Sequence, residues 1–318
     1  MRHLWALSVA LAACYGPSVS PGAPCGPNGE CPSGLQCIAG TCQPPGTVLD
    51  DAPPLDDDAE IDGSMVVADA AIDANPIYVP WGTPIKLDSL ELATTGETDP
   101  SVSMNRLAAM LVSDSPDEIT ECARGALTDT FTCATLTAVN SSAEDKSPEL
   151  SADGSTLYFV SNRAGNFDVY MSSKTGGVWA TPALVTQLST ASEDSDLAIS
   201  PDGLTAVVLS NGSSNRFTLH ARASTALPFG AGVAHAELEV TSDIGAPTIT
   251  NNGNVIYFHA GGTRDLYMAT RKPNGTYNSP APVTELNTSG RDAAPFVSAN
   301  DKYMIFERDS DIFETSRP

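Results

Sequence analysis

From residue 81 onward, apolar residues come in short runs separated by clusters of Gly, Asn and Asp, and no stretch keeps a helical period. The stretch from 147 to 182 shows the pattern most clearly. Ser147-Pro148-Glu149-Leu150-Ser151 leads into the turn Ala152-Asp153-Gly154, and Thr156-Leu157-Tyr158-Phe159-Val160 is an apolar run. Asn162-Arg163-Ala164-Gly165-Asn166 is turn material, and Phe167-Asp168-Val169-Tyr170-Met171 alternates with period two. Gly176-Gly177 breaks the chain again before Val178-Trp179-Ala180-Thr181-Pro182. Short runs of β-branched and aromatic residues bounded by turn formers predict strands. The unit therefore has four strands.

This unit is copied. Aromatic residues recur at Trp81, Phe131, Trp179, Phe229 and Tyr277, spaced by 50, 48, 50 and 48 residues, and a second series keeps the beat at Pro100, Pro148, Leu197, Pro247 and Pro295. The turn after the first strand returns as Asn105-Arg106, Asp202-Gly203, Asn252-Gly253 and Asn300-Asp301. These residue types tolerate the positive φ that tight hairpins require. A repeat of this length means that each copy buries its apolar face on its neighbours.

Counting strands predicts how the array ends. The chain enters at Trp81-Gly82-Thr83-Pro84-Ile85, which matches a fourth strand, and leaves at Asp311-Ile312-Phe313, which matches a third. Pairing the two removes an open sheet edge. The expectation is an all-β, five-bladed β-propeller over 81–318, with four-stranded antiparallel blades and a ring closed by the N-terminal strand. Six blades are the alternative. Ser-Pro-x-Leu-Ser-x-Asp-Gly, followed by Leu-Tyr-Phe and Asp-Val-Tyr, resembles the WD40-like propeller repeat of bacterial envelope proteins, the type found in the Tol system. That resemblance implies a location in the envelope.

The first 80 residues differ in kind. Met1-Arg2-His3 is a short basic start and Leu4 to Ala13 is apolar, too short to span a bilayer and of the length of a signal core. Leu11-Ala12-Ala13-Cys14 looks like a bacterial lipobox, so residues 1–13 are expected to be removed and Cys14 lipidated; an ordinary secretory signal is the alternative. Tyr15, where enteric lipoproteins retained at the inner membrane carry aspartate, favours the outer membrane by resemblance. Acylating Cys14 leaves six of the seven cysteines to pair in an oxidising compartment. Cys25, Cys31, Cys37 and Cys42 lie in a Gly- and Pro-rich module at 14–46, where two disulfides are expected and three connectivities stay open. Their spacing lacks the close pairs usual for zinc. Cys122 and Cys133 align with neighbouring third and fourth strands, which predicts a cross-strand disulfide in the first blade. Residues 47–80 are acidic, without lysine or arginine between 50 and 73, and read as a disordered tether.

A net charge of −23 excludes nucleic acid as a partner and leaves membrane association to the lipid alone. No zinc-protease, nucleophile-elbow or phosphate-loop motif occurs, and His220, His235 and His259 are the histidines beyond the signal. One constellation repeats with the blades: Glu97, Asp145, Asp194 and Asp292 stand three residues before the second marker, with Asp243 in the fourth blade, and Asp99 and Asp196 lie close by. A structural reading makes each acid an acceptor for turn N–H groups, and its repetition puts that reading first. A functional reading makes them a partial ring at the channel mouth, binding a cation such as Ca²⁺ or a cationic group of a peptide or sugar. The function expected is non-catalytic binding of an envelope protein or glycan by a monomer without cofactor. The alternative is a glycoside hydrolase, which needs two carboxylates flanking the sugar bond.

Overall fold

The computed structural model describes residues 36–38, 41–43, 78–90, 97–113, 117–212, 214–250 and 253–318. The chain divides into two units, Met1–Asp73 and Ala74–Pro318. In the first, Gln36–Ile38 and Thr41–Gln43 form an antiparallel hairpin in which Cys37 and Cys42 are register partners. Cys14, Cys25, Cys31 and most of the acidic tract lie outside the described residues.

The second unit is a five-bladed β-propeller. First strands, which line the central channel, are Glu97–Val102, Asp145–Leu150, Glu193–Ile199, Ile244–Ile249 and Asp292–Val297. Each is followed outward by two long antiparallel partners and a short fourth strand. At the second position of each first hairpin, φ is positive: Arg106 58°, Gly154 72°, Gly203 71°, Gly253 66° and Asp301 57°. The turn chemistry read from Asn, Asp and Gly is thus the turn that forms.

In blade five the order is Asp292–Val297, Tyr303–Arg308, Asp311–Ser316 and then Ile85–Lys86 from the other end of the unit. Phe313 pairs with Lys86 and Glu314 with Ile85, as the strand count predicts. In blade two Val178–Trp179 pairs with the third strand where the sequence pattern places a fourth strand, and Ala183–Leu184 pairs with the same strand further along. The closing strand begins at Ile85 rather than Trp81. Burial explains the shift. Trp81, Phe131, Trp179, Phe229 and Tyr277 are 0–9% exposed, each in a different apolar cluster. Each cluster joins two adjacent blades, so the marker aromatic is a wedge between blades; in blade two Trp179 is also part of an edge strand, and at Trp81 the edge strand starts beyond it.

The wedges carry a second repeated feature. An arginine following the third strand lies over the ring: Arg124 over Phe131 at 4.3 Å, Arg222 over Phe229 at 4.2 Å and Arg317 over Trp81 at 4.3 Å; in blade two Lys174, near the end of the third strand, lies over Trp179 at 5.1 Å. The three arginines also donate through Nε to carbonyls of the first hairpin turn, at Arg106, Gly203 and Asp301. Cation–π contact and a charge-assisted hydrogen bond thus fasten the outer part of blades one, three and five to their inner hairpins. In blade one Cys122 and Cys133 are directly opposite in register and form the cross-strand disulfide.

Candidate functional site

Each first strand breaks register once, between Thr98 and Ser101, Lys146 and Glu149, Asp194 and Asp196, Gly245 and Thr248, and Ala293 and Phe296. The residue before the proline takes left-handed φ: Asp99 49°, Ser147 49°, Ala246 41° and Ala294 45°. A bulge re-aims the side chain it carries. Here the five bulges meet around the axis, and Pro100, Pro148, Leu197, Pro247 and Pro295 make a collar that leaves only about 20 Å³ of space. The collar splits the channel into two cups.

The cup at the starting ends of the first strands is polar and holds about 360 Å³. Its floor is Asp99, Ser147 and Asp196, and its wall includes Lys146, Asn211, Asn215, Asp243, His259, Arg264 and Arg291. Asp196 is fully engaged: the Ser147 hydroxyl donates to Oδ1 at 2.6 Å and the Ala246 N–H to Oδ2 at 3.1 Å. Asp99 has no such pair of donors. Burial, then Asp196 and Glu307 nearby, push its carboxyl up to about 7, and burial raises Asp196 as well. His259 is 7% exposed, and burial, with Arg264 and Arg291 adding to it, lowers its imidazole to about 3. The ring is therefore neutral, and its Nδ1 faces the Ala294 N–H at 3.5 Å. Gly245 makes the room, since a Cβ there would stand 2.6 Å from His259 Nε2. Arg291 is paired with buried Glu307 at 3.2 Å. The cup thus presents a carboxyl that exchanges its proton near neutrality, a neutral imidazole, two amides and three cations.

The acids singled out from the repeat are placed elsewhere. Asp145, Asp194 and Asp292 are fully buried, and each receives at 2.6 Å the backbone N–H of the residue four before it: Ser141, Thr190 and Thr288. The hydroxyls of those residues donate too. Arg163 pairs with Asp145 at 2.5 Å and Arg308 with Asp292 at 2.6 Å, while Ser210 donates to Asp194 at 2.6 Å. Asp243 is exposed and lies in the polar cup, because Ile244 takes the buried place in blade four. The Glu97 side chain lies outside the described residues. Among the described residues, no three His, Cys, Asp or Glu side chains converge to hold a metal ion. What the sequence reading missed is the set Lys146, His259, Arg264 and Arg291. The available signal was the cations next to the repeated acids, Lys146 after Asp145 and Arg291 before Asp292.

No protein-family profile matches the chain. No curated protein matches it either. Among solved structures, the chain is similar to the α-L-arabinofuranosidase PaAbf62A from Podospora anserina, at 10% identity and TM-score 0.54, covering 76% of this chain and 97% of that one. It is also similar to a putative TolB from Agrobacterium tumefaciens, at 16% identity, TM-score 0.47, 71% and 76% coverage. A gluconolactonase from Xanthomonas campestris matches at 12% identity, TM-score 0.47, 75% and 99% coverage. What these proteins share with this chain is the fold.

Proposed function

We propose that the chain is an exported, lipid-anchored protein of the bacterial envelope, and that its propeller binds a polar group of a glycan or envelope protein in the polar cup without turning it over. The observation that carries this reading is the convergence of Asp99, Lys146, His259 and Arg264 on one closed-bottomed cup. Mixed charge in a concave, partly desolvated site favours a hydroxyl-rich or dipolar group over a simple ion. Sugar hydrolysis needs two carboxylates flanking the bond; Asp196 already accepts bonds from Ser147 and Ala246, which leaves Asp99 and Asp243 as the acids of this cup.

The lipobox at Cys14 and the tether after it supply the anchor in this reading. A glycan array and a pull-down from envelope extract, both with the full chain, test the cup. Capture without release of product is expected, weakened at least tenfold by Arg264→Ala and Asp99→Asn. Capture indifferent to both variants removes the cup as the site. One observation favours hydrolysis as a second reading: the proton-holding carboxyl of Asp99 beside Asp196. Release of sugar in excess of protein, abolished by Asp99→Asn, would decide for it.

A further inference from the structure

The opposite cup, at the finishing ends of the first strands, is larger and more apolar than the first. It holds about 540 Å³, with walls that include Val102, Leu150, Ile199, Ile249 and Phe296. At its base, lining both this cup and the collar, is Glu149, only 7% exposed.

Two other blades show what a polar residue at that position does, while blades three and five carry Ala198 and Phe296 there. In blade one Ser101 Oγ accepts the N–H of Leu150 in the next blade at 2.8 Å, and in blade four Thr248 Oγ1 accepts that of Val297 at 3.2 Å. Glu149 takes the N–H of Ile199 in the same way. A hydroxyl is enough for this inter-blade bond, as blades one and four demonstrate. Blade two instead carries a carboxyl, at the cost of burying it. Burial pushes Glu149 well above the usual carboxylate range, and the Ile199 bond offsets this only in part. One carboxyl oxygen can serve the backbone. The other is surplus to the scaffold, in a group that lines the cavity.

We propose that this apolar cup is a second binding site, and that it takes an apolar chain ending in a primary amine, with the amine seated against Glu149. An ammonium group supplies the opposite charge that a buried carboxylate lacks, and Val102, Leu150, Ile199, Ile249 and Phe296 offer apolar surface for methylene groups. Arg106 and Lys302, from the hairpin turns, stand at the outer part of the cup. Their charge opposes an amine held among them, so the seat assigned to the amine is Glu149 and not these turns.

Titration calorimetry of the full chain with hexylamine and with hexanoate tests this. Hexylamine is expected to bind at least tenfold more tightly than hexanoate. Glu149→Ser, which installs the hydroxyl that blade one uses, should weaken hexylamine at least tenfold while thermal unfolding stays cooperative. Glu149→Gln, nearly the same shape, gives a second variant that must show the same loss. Hexanoate binding as tightly as hexylamine, or either folded variant retaining hexylamine at wild-type affinity, overturns the proposal.

Discussion

Arg308 reaches from the second strand of blade five to Asp292 on the first, with Nε 2.6 Å from Oδ1, while Oδ2 holds the N–H and hydroxyl of Thr288. The carboxylate is fully buried and its partner's side chain is 18% exposed. The arrangement shows what the acid of the repeat is for. It ties the loop arriving from the previous blade to the strand that opens the next, at the point where the chain turns inward.

Removing such a carboxylate leaves a buried guanidinium and a turn without its acceptor. Asp292→Ala should cost about 3–5 kcal/mol of folding stability, the range for breaking one side of a buried ion pair. Denaturant titration measures it. Asp194→Ala, where a serine replaces the arginine, should cost less. Equal losses at the two positions would mean that the arginine contributes nothing beyond the turn.

The cross-strand bond between Cys122 and Cys133 closes a loop of 11 residues in sequence separation. Loop-closure entropy puts its contribution at about 3 kcal/mol. Cys122→Ser with Cys133→Ser should lower the melting temperature by several degrees, and reductant should lower the wild type to match. Cys122 is buried beside Ile305 and Phe131, so part of the loss will be packing. A double Ala variant separates the two terms, since it removes the bond without burying hydroxyls.

How much of this was legible in the sequence follows from what repeats. Five proline-type markers and five aromatic markers gave the blade number, and the mismatch between Trp81 and Phe313 gave the closure, because each copy must solve the same packing problem. The closing strand starts at Ile85 and not at Trp81, since a buried aromatic and an edge-strand residue look alike in a short apolar run. The polar cup was largely illegible. Lys146 and Arg291 flank repeated acids but on opposite sides, and His259 and Arg264 stand elsewhere in the repeat, so no common spacing marks the set. Asp99 and Asp196 were visible as acids, but only the bulge aims them at the axis.

Asp99 gives a pH dependence of definite sign. Its carboxyl is raised to about 7 in the folded chain, so between the ordinary carboxylate range and 7 the native state binds more protons than the unfolded state. Its contribution to stability is therefore full at low pH and lost as pH rises through 7. His259, lowered to about 3, has the opposite slope between 3 and its ordinary 6.5. The two partly offset in wild type. Asp99→Asn removes one of them, so its stability relative to wild type should increase between pH 5 and 7.5, read from melts across that range. A difference that stays flat, or runs the other way, would place the proton elsewhere.

Ring closure makes the last prediction. Gly82 N–H donates to the Ser316 carbonyl at 3.0 Å, and Thr315 donates to the Gly82 carbonyl at 2.7 Å. Trp81 is wedged against Tyr257, with ring centres 6.1 Å apart, under Arg317. A Cβ on Gly82 would meet the Ser316 carbonyl at 2.8 Å, so even Gly82→Ala must push the two ends apart. Trp81→Ala removes a wedge and should cost about 3–5 kcal/mol. Removing residues 78–86 goes further, because it bares the outer edge of Asp311–Ser316 as well as an apolar cluster. An unpaired edge templates strand addition, so the truncated chain should elute as dimers or larger species while Trp81→Ala stays monomeric but less stable. If the truncated chain runs as a stable monomer with an unchanged melt, the four-stranded fifth blade is dispensable and closure does not hold the ring.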